Sequence, residues 1–169
     1  CTTALKMKPP MQLVCIGGFI LRAVVQKVKD AKVIVDNLVV GEIDYGILTY
    51  IAITHDDSNK DIDYMIDKIT GLRIFDDQDG KMNLSVEDVF GEILVVSQFT
   101  LYGDVRKGKR PSFIQSEPFD FGKTMYDEFI RKLKQKSINI QTGIYGADMV
   151  VEYKNEGPVT ILIDSKKLF

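Results

Sequence analysis

Residues 22–54 read RAVVQKVKDAKVIVDNLVVGEIDYGILTYIAIT, and this stretch decides the fold class. It divides into RAVVQKV, then KVIVDNLVVGEI with Asp36-Asn37 as a turn, then GILTYIAIT. Valine, isoleucine, threonine and tyrosine suit a pleated surface, and Asp-Asn tolerates the dihedrals of a tight turn. The stretch therefore predicts three or four antiparallel strands.

Beyond it, Ser58 is placed to cap a helix whose apolar positions Ile62, Met65, Ile66, Ile69 and Leu72 recur at helical spacing, with Asp61 and Asp63 at the positive end of its dipole. Arg73-Ile74-Phe75 reads as a short strand, and Asp79-Gly80 as a turn before Lys81-Met82-Asn83-Leu84. Residues 92–101, EILVVSQFTL, carry four consecutive apolar residues that fit burial on both faces, so a central strand is expected there. A Gly/Pro-containing basic loop follows over 102–118. A second helix runs from Asp120 to about Lys136 with Phe121, Met125, Phe129 and Leu133 as its stripe. Two last strands, about 148–153 and 159–164, flank the turn Asn155-Glu156-Gly157-Pro158. Strands and helices segregate without a βαβ repeat, which predicts α+β with a mainly antiparallel, barrel-like sheet and two main helices.

The 169 residues are 45% hydrophobic and 27% charged, the balance of one domain with a sizeable core. Both cysteines, Cys1 and Cys15, lie in the first 20 residues, and His55 is the only histidine. The body therefore has no thiol for a disulfide, a zinc cage or a nucleophile, and no two-histidine metal site; neither a metal nor another cofactor is expected. Residues 1–20 contain no acid and one apolar run, Met11 to Ile20, too short to span a bilayer. They are read as a leader outside a single domain over 21–169, upstream sequence in preference to a signal peptide. The net charge of -2 hides an uneven distribution. Residues 104–136 hold nine cations against five acids, whereas 21–102 hold eight against 15. Any nucleic-acid partner must meet a local patch, and Arg106, Lys107, Lys109 and Arg110 are its candidates.

Two segments could carry chemistry. In Ser97-Gln98-Phe99-Thr100, polar side chains end an apolar strand. Either the hydroxyls satisfy neighbouring backbone groups, which spacing favours, or they line a polar pocket with N–H groups that bind a carbonyl and stabilise an oxyanion. Asn155-Glu156-Gly157-Pro158-Val159-Thr160 is either a plain hairpin turn or a Gly-Pro bond, cis, presenting carbonyls to a site; spacing leaves both open. Residues 76–80, DDQDG, resemble a calcium loop, but aligning Gly80 as its sixth position puts Phe75 and Val86 where carboxylates are required, so they are a turn. His55 reads as a loop residue ahead of the helix cap.

In order, these segments resemble the D-aminoacyl-tRNA deacylase family in its bacterial form: RAVVQKV; Leu72 to Phe75 with Lys81 to Leu84; Val95 to Leu101; Arg110 to Phe113; Thr142-Gly143 with Gly146 to Met149; and Asn155 to Thr160. The resemblance spans residues 21–164. It implies a cytoplasmic homodimer that binds D-aminoacyl-tRNA, with no DNA or membrane partner. The enzyme would hydrolyse the ester of a D-amino acid, or of glycine mischarged on tRNA(Ala), at the 3' adenosine. It further implies that Gly157 and Pro158 form a cis chiral filter reaching into the partner's pocket. Ser97, Gln98, Phe99 and Thr100 would form the catalytic wall, with Lys27, Met149, Asn155, Val159 and Thr160 in support. Thr100 as nucleophile ranks lower, because no base is in evidence to activate it. The family usually carries Arg at the position of Lys27, so a fork of donors bracing the Gly-Pro loop becomes a single ammonium. The family's initiator Met aligns with Leu21, which places the expected translation start there. A non-catalytic RNA-binding module and an esterase using His55 as base are the competing readings.

Overall fold

The computed structural model describes residues 21–54, 57–114 and 119–167. The expectations for the leader and for His55 lie outside the described residues. In chain order the elements are β1 (Arg22–Val35), β2 (Leu38–Ala52), α1 (Asn59–Gly71), β3 (Phe75–Asp76), β4 (Met82–Leu84), β5 (Glu92–Ser97), a 3-10 turn (Phe99–Tyr102), α2 (Phe119–Leu133), β6 (Ile140–Thr142) and β7 (Val150–Asp164). Five strands form one sheet in the order β6-β5-β2-β1-β7, and β3 and β4 form a small second sheet.

The α+β class and the two helices are as expected. The first region differs in that it makes two long strands, not three or four. β1 and β2 form a continuous antiparallel hairpin about Asp36-Asn37, both residues at positive φ, and β1 absorbs a register shift at Val33/Ile34 without breaking. β1 is also paired along its other edge by β7, so ladder bonds on both sides hold it extended.

β5 is an interior strand, and it pairs parallel with both β2 and β6. The reason is the connection: α1 and the β3–β4 hairpin carry the chain back to the end where β2 began, and a parallel partner requires such a crossover. The antiparallel pairings nonetheless make up the longest ladders. The four-residue apolar run is explained by two separate cores. Ile93 and Val95 face one cluster with Ile62, Met65, Ile69, Phe129 and Leu133 from the helices, while Leu94 and Val96 face the other with Val28, Val33, Ile43 and Leu48. Burying Phe129 and Leu133 completely contributes on the order of 2 to 3 kcal/mol each. Among the described residues the second cluster draws on no helix; β1, β2, β5 and β7, with Met149, supply it. The first half of β2 meets β6 so closely that a Cβ on Gly41 would lie 2.6 Å from the Thr142 carbonyl oxygen.

α1 begins as expected at Ser58, whose N–H and hydroxyl both donate to Asp61 Oδ2, at 3.0 and 2.6 Å. Residues 76–80 form a turn in which Asp77 Oδ1 accepts from the N–H groups of Asp79 and Lys81. The two expected final strands are one strand, β7, interrupted opposite Lys27. Val28 pairs with Asn155 and Gln26 with Thr160, so residues 156–159 leave the ladder and return.

Candidate active site

β5 ends because the Gln98 N–H makes the last ladder bond, to the Ile51 carbonyl at 2.8 Å, and the chain then tightens into the 3-10 turn, with the Leu101 N–H on the Gln98 carbonyl at 3.2 Å. In such a turn the first N–H groups have no partner within it; here they are those of Phe99 and Thr100. Beside them opens a cleft of about 550 Å³. Ser97, Gln98 and Phe99 form one wall, residues 145–149 the facing wall, and the end of β2 with Tyr126 of α2 completes the lining.

The cleft brings together Ser97, Gln98, Phe99 and Met149. Thr100 is exposed just outside it, its hydroxyl accepting from Gln98 Nε2. Gly157, Pro158, Asn155, Val159 and Thr160 are on β7 and line no part of it. Their segment is braced internally: the Asn155 carboxamide accepts from the Val159 N–H at 3.2 Å and donates to Thr160 Oγ1 at 3.1 Å, an oxygen that Gln26 Nε2 also donates to. Gly157 has φ +113°, its peptide to Pro158 is cis, and both residues are exposed.

Lys27 lies beneath this excursion with 4% of its surface exposed, and its ammonium donates to Asp76 Oδ2 at 2.9 Å and lies 5.6 Å from the Phe75 ring centre. A buried ammonium without that carboxylate would cost several kcal/mol. The cation at this position thus ties β1 to β3.

The basic loop is closed by paired Asp104 and Ser112 backbone bonds of 2.8 and 2.9 Å and is anchored to the cleft by the Phe99 and Phe113 rings, edge to face at 5.2 Å. Arg106 is not available as a lone cation: its guanidinium grips both oxygens of Asp104 and holds that carboxyl well below the usual carboxylate range. Among the described residues Lys107, Lys109 and Arg110 are exposed and have no acidic partner.

Tyr126 and Tyr145 also line the cleft and were not singled out from sequence, and Asp148, inside the Gly146 to Met149 motif, was given no role there. Tyr126 donates to the Val95 carbonyl at 3.3 Å, and burial pushes its phenol up, so it stays neutral and positions the wall. Tyr126 belongs to a helix assigned from its Phe and Leu stripe, and only the packing of α2 on β5 turns it toward the cleft. Among the described residues no histidine or cysteine lines the cleft, and Asp148 is its one carboxylate. The arrangement therefore supplies donors, a shaped wall and one exposed acid, which suits stabilisation of a developing oxyanion on an activated carbonyl more than side-chain nucleophilic attack.

A family model described as D-Tyr-tRNA(Tyr) deacylase matches residues 24–164. The chain belongs to this family. Curated relatives named D-aminoacyl-tRNA deacylase agree with it. The protein from Thermotoga petrophila is 54% identical over 149 residues, which is 88% of this chain and all of that protein, and the one from Clostridioides difficile is 53% identical over the same shares. Among solved structures, the "c-Myc DNA Unwinding Element Binding Protein" superposes with a TM-score of 0.80 at 39% identity, over 84% of this chain and 97% of its own. A structure of "a probable eukaryotic D-amino acid tRNA deacylase" superposes with a TM-score of 0.72 at 22% identity, covering 86% and 99%, and shares the fold. The family match spans β5, the cleft wall at 145–149 and the β7 excursion.

Proposed function

We propose that the protein hydrolyses the ester of D-aminoacyl-tRNA, releasing the D-amino acid and free tRNA, and that it treats glycine mischarged on tRNA(Ala) in the same way. The observation that carries the reading is the cleft at the end of β5 in a chain of this family, with Ser97, Gln98 and Phe99 on its wall and the Phe99 and Thr100 N–H groups at its mouth. An aminoacyl ester is already activated. Water, oriented in the cleft or by the terminal ribose hydroxyl, adds to the ester carbon; the oxygen that becomes negative is held by backbone N–H groups; the ribose oxygen then leaves with a proton. One well-placed donor of this kind is worth on the order of 3 kcal/mol in the transition state. Thr100 is a poor nucleophile in this geometry, since its one described side-chain partner is the Gln98 amide and among the described residues no base is hydrogen-bonded to it.

The same reading makes the protein a cytoplasmic homodimer. Gly157 and Pro158 lie outside their own chain's cleft and are exposed, which suits a role in the cleft of a second copy, where their carbonyls would exclude an L side chain. Lys107, Lys109 and Arg110, on the loop anchored to Phe99, would meet tRNA phosphates. The decisive experiment incubates the purified protein with D-Tyr-tRNA and L-Tyr-tRNA. Release of D-tyrosine with the L ester left intact is expected; retention of D-Tyr-tRNA without release would make the chain an RNA-binding module instead.

A further inference from the structure

A second depression, about 410 Å³, lies between the outer face of α2 and residues 142–145. Lys123, Arg131 and Lys134 rim it against one carboxylate, Asp127. Tyr126 and Tyr145 line both this groove and the cleft, with ring centres 5.3 Å apart, so the tyrosine pair is a common wall and the groove continues from the cleft. The cations share one face because they recur at three- and four-residue multiples along the helix, and Lys123 to Lys134 spans about 16 Å of helix, room for several phosphates. Lys123 is paired only with its exposed neighbour Asp127 at 2.5 Å, whereas Arg131 grips both oxygens of the half-buried Glu128 and is held as Arg106 is. The single, exposed Lys123 pair exchanges readily for a phosphate. Lys134 has no acidic partner among the described residues, and Ile144, half exposed at the rim, offers apolar surface to a sugar or base.

We infer that this groove carries the acceptor-strand phosphates of a tRNA whose aminoacylated 3' end occupies the cleft, which rests on the deacylase reading given above. An RNA strand is favoured as the occupant because the positive rim starts at the cleft itself. A strand leaving the cleft over the tyrosine pair passes directly onto cations fixed on a helix, whereas those of the 104–110 loop lie on the opposite, Phe99 side. The groove and the loop would then grip the acceptor end from two sides.

The test is the dissociation constant of deacylated tRNA across a salt series, so that it does not depend on turnover. It compares wild type, the double variant Lys123→Ala/Lys134→Ala, and a matched double variant, Lys60→Ala/Lys81→Ala, that removes the same charge elsewhere. The groove variant is expected to bind roughly tenfold more weakly and to lose about two from the magnitude of the slope of log K against log salt, one for each phosphate contact removed. Lys123→Arg/Lys134→Arg should retain both. Equal behaviour of the groove and matched variants, each with an unchanged melting temperature, overturns the inference. If wild type binds tRNA but releases no D-tyrosine, the deacylase reading falls while the binding comparison still decides the groove.

Discussion

Two strands of this sheet are interrupted by polar segments, and the interruptions behave oppositely. β5 ends at Ser97-Gln98-Phe99-Thr100, and the chain folds its own second wall, residues 145–149, against that end to make a cleft. β7 is interrupted at residues 156–159, and among the described residues Gly157 and Pro158 are exposed, their segment braced by Asn155, Thr160 and neighbours beneath. The first interruption builds the walls of its cleft within one chain. The second is a rigid projection whose surroundings come from elsewhere, and the proposed dimer supplies them.

The largest effect that could break this contrast comes from mixing variants. Gly157→Ala forces a side chain onto a φ of +113° and within 2.8 Å of Val159 Cγ2, so the projection must distort, while Ala147→Phe fills the cleft wall. Each homodimer should lose activity by about a hundredfold or more, and co-refolding the two in equal amounts should recover about a quarter of wild-type deacylation, because half the dimers are hybrids with one intact site of two. No recovery, with hybrid dimers present by native mass spectrometry, would mean that the projection serves its own chain.

A second contrast is electrostatic. The loop that follows the cleft-lining end of β2 contains Asp57, buried, accepting from the Thr54 N–H at 2.8 Å; burial, with Asp61 nearby, raises its carboxyl to about 7 against the help of Lys166. Its pKa is higher folded than unfolded, so the stabilisation is full below about pH 4 and is lost as pH rises toward 7. Thermal denaturation should show this decline over pH 4 to 7, and Asp57→Asn should flatten it. A wild-type profile level across that window would place the charge elsewhere.

Of intermediate size is Gly143, which has a backbone conformation open to any residue but lies where a Cβ would meet Met149 Sδ at 2.6 Å and Val33 Cγ1 at 3.3 Å. Met149 packs on the close-packed second core on one side and on the cleft on the other, so in Gly143→Ala its flexible thioether should move into the open cleft. The expected result is a roughly tenfold rise in KM for D-Tyr-tRNA relative to glycyl-tRNA, relieved by adding Met149→Ala. A loss equal for both substrates would point to the oxyanion donors instead. The smallest effect is expected of Thr100→Ala, which removes a hydroxyl outside the cleft: turnover should change by less than about threefold, and its abolition would restore Thr100 as nucleophile.

Local pattern was enough for the elements whose residues answer to near neighbours. The Ser58–Asp61 cap, the α1 stripe, the Asp36-Asn37 turn and the two-sided burial of Ile93 to Val96 were all legible, because period and turn chemistry are properties of a few consecutive residues. The β7 excursion was misread as a turn between two strands for the same reason. Gly-Pro looks like a chain reversal locally, and only pairing with β1 on both sides, Val28 with Asn155 and Gln26 with Thr160, shows that the strand resumes in the same direction. Composition had already removed thiol and two-histidine chemistry from the body of the chain, and the ordered motifs identified the family. What tertiary structure decided was adjacency: that Tyr126 and Asp148 share a cleft with Ser97, that Lys27 is paired to Asp76, and that Thr100 and Gly157-Pro158 stand outside that cleft. Such facts depend on residues tens of positions apart being brought together by the parallel crossover and the pairing of the sheet, and no spacing within the sequence encodes them.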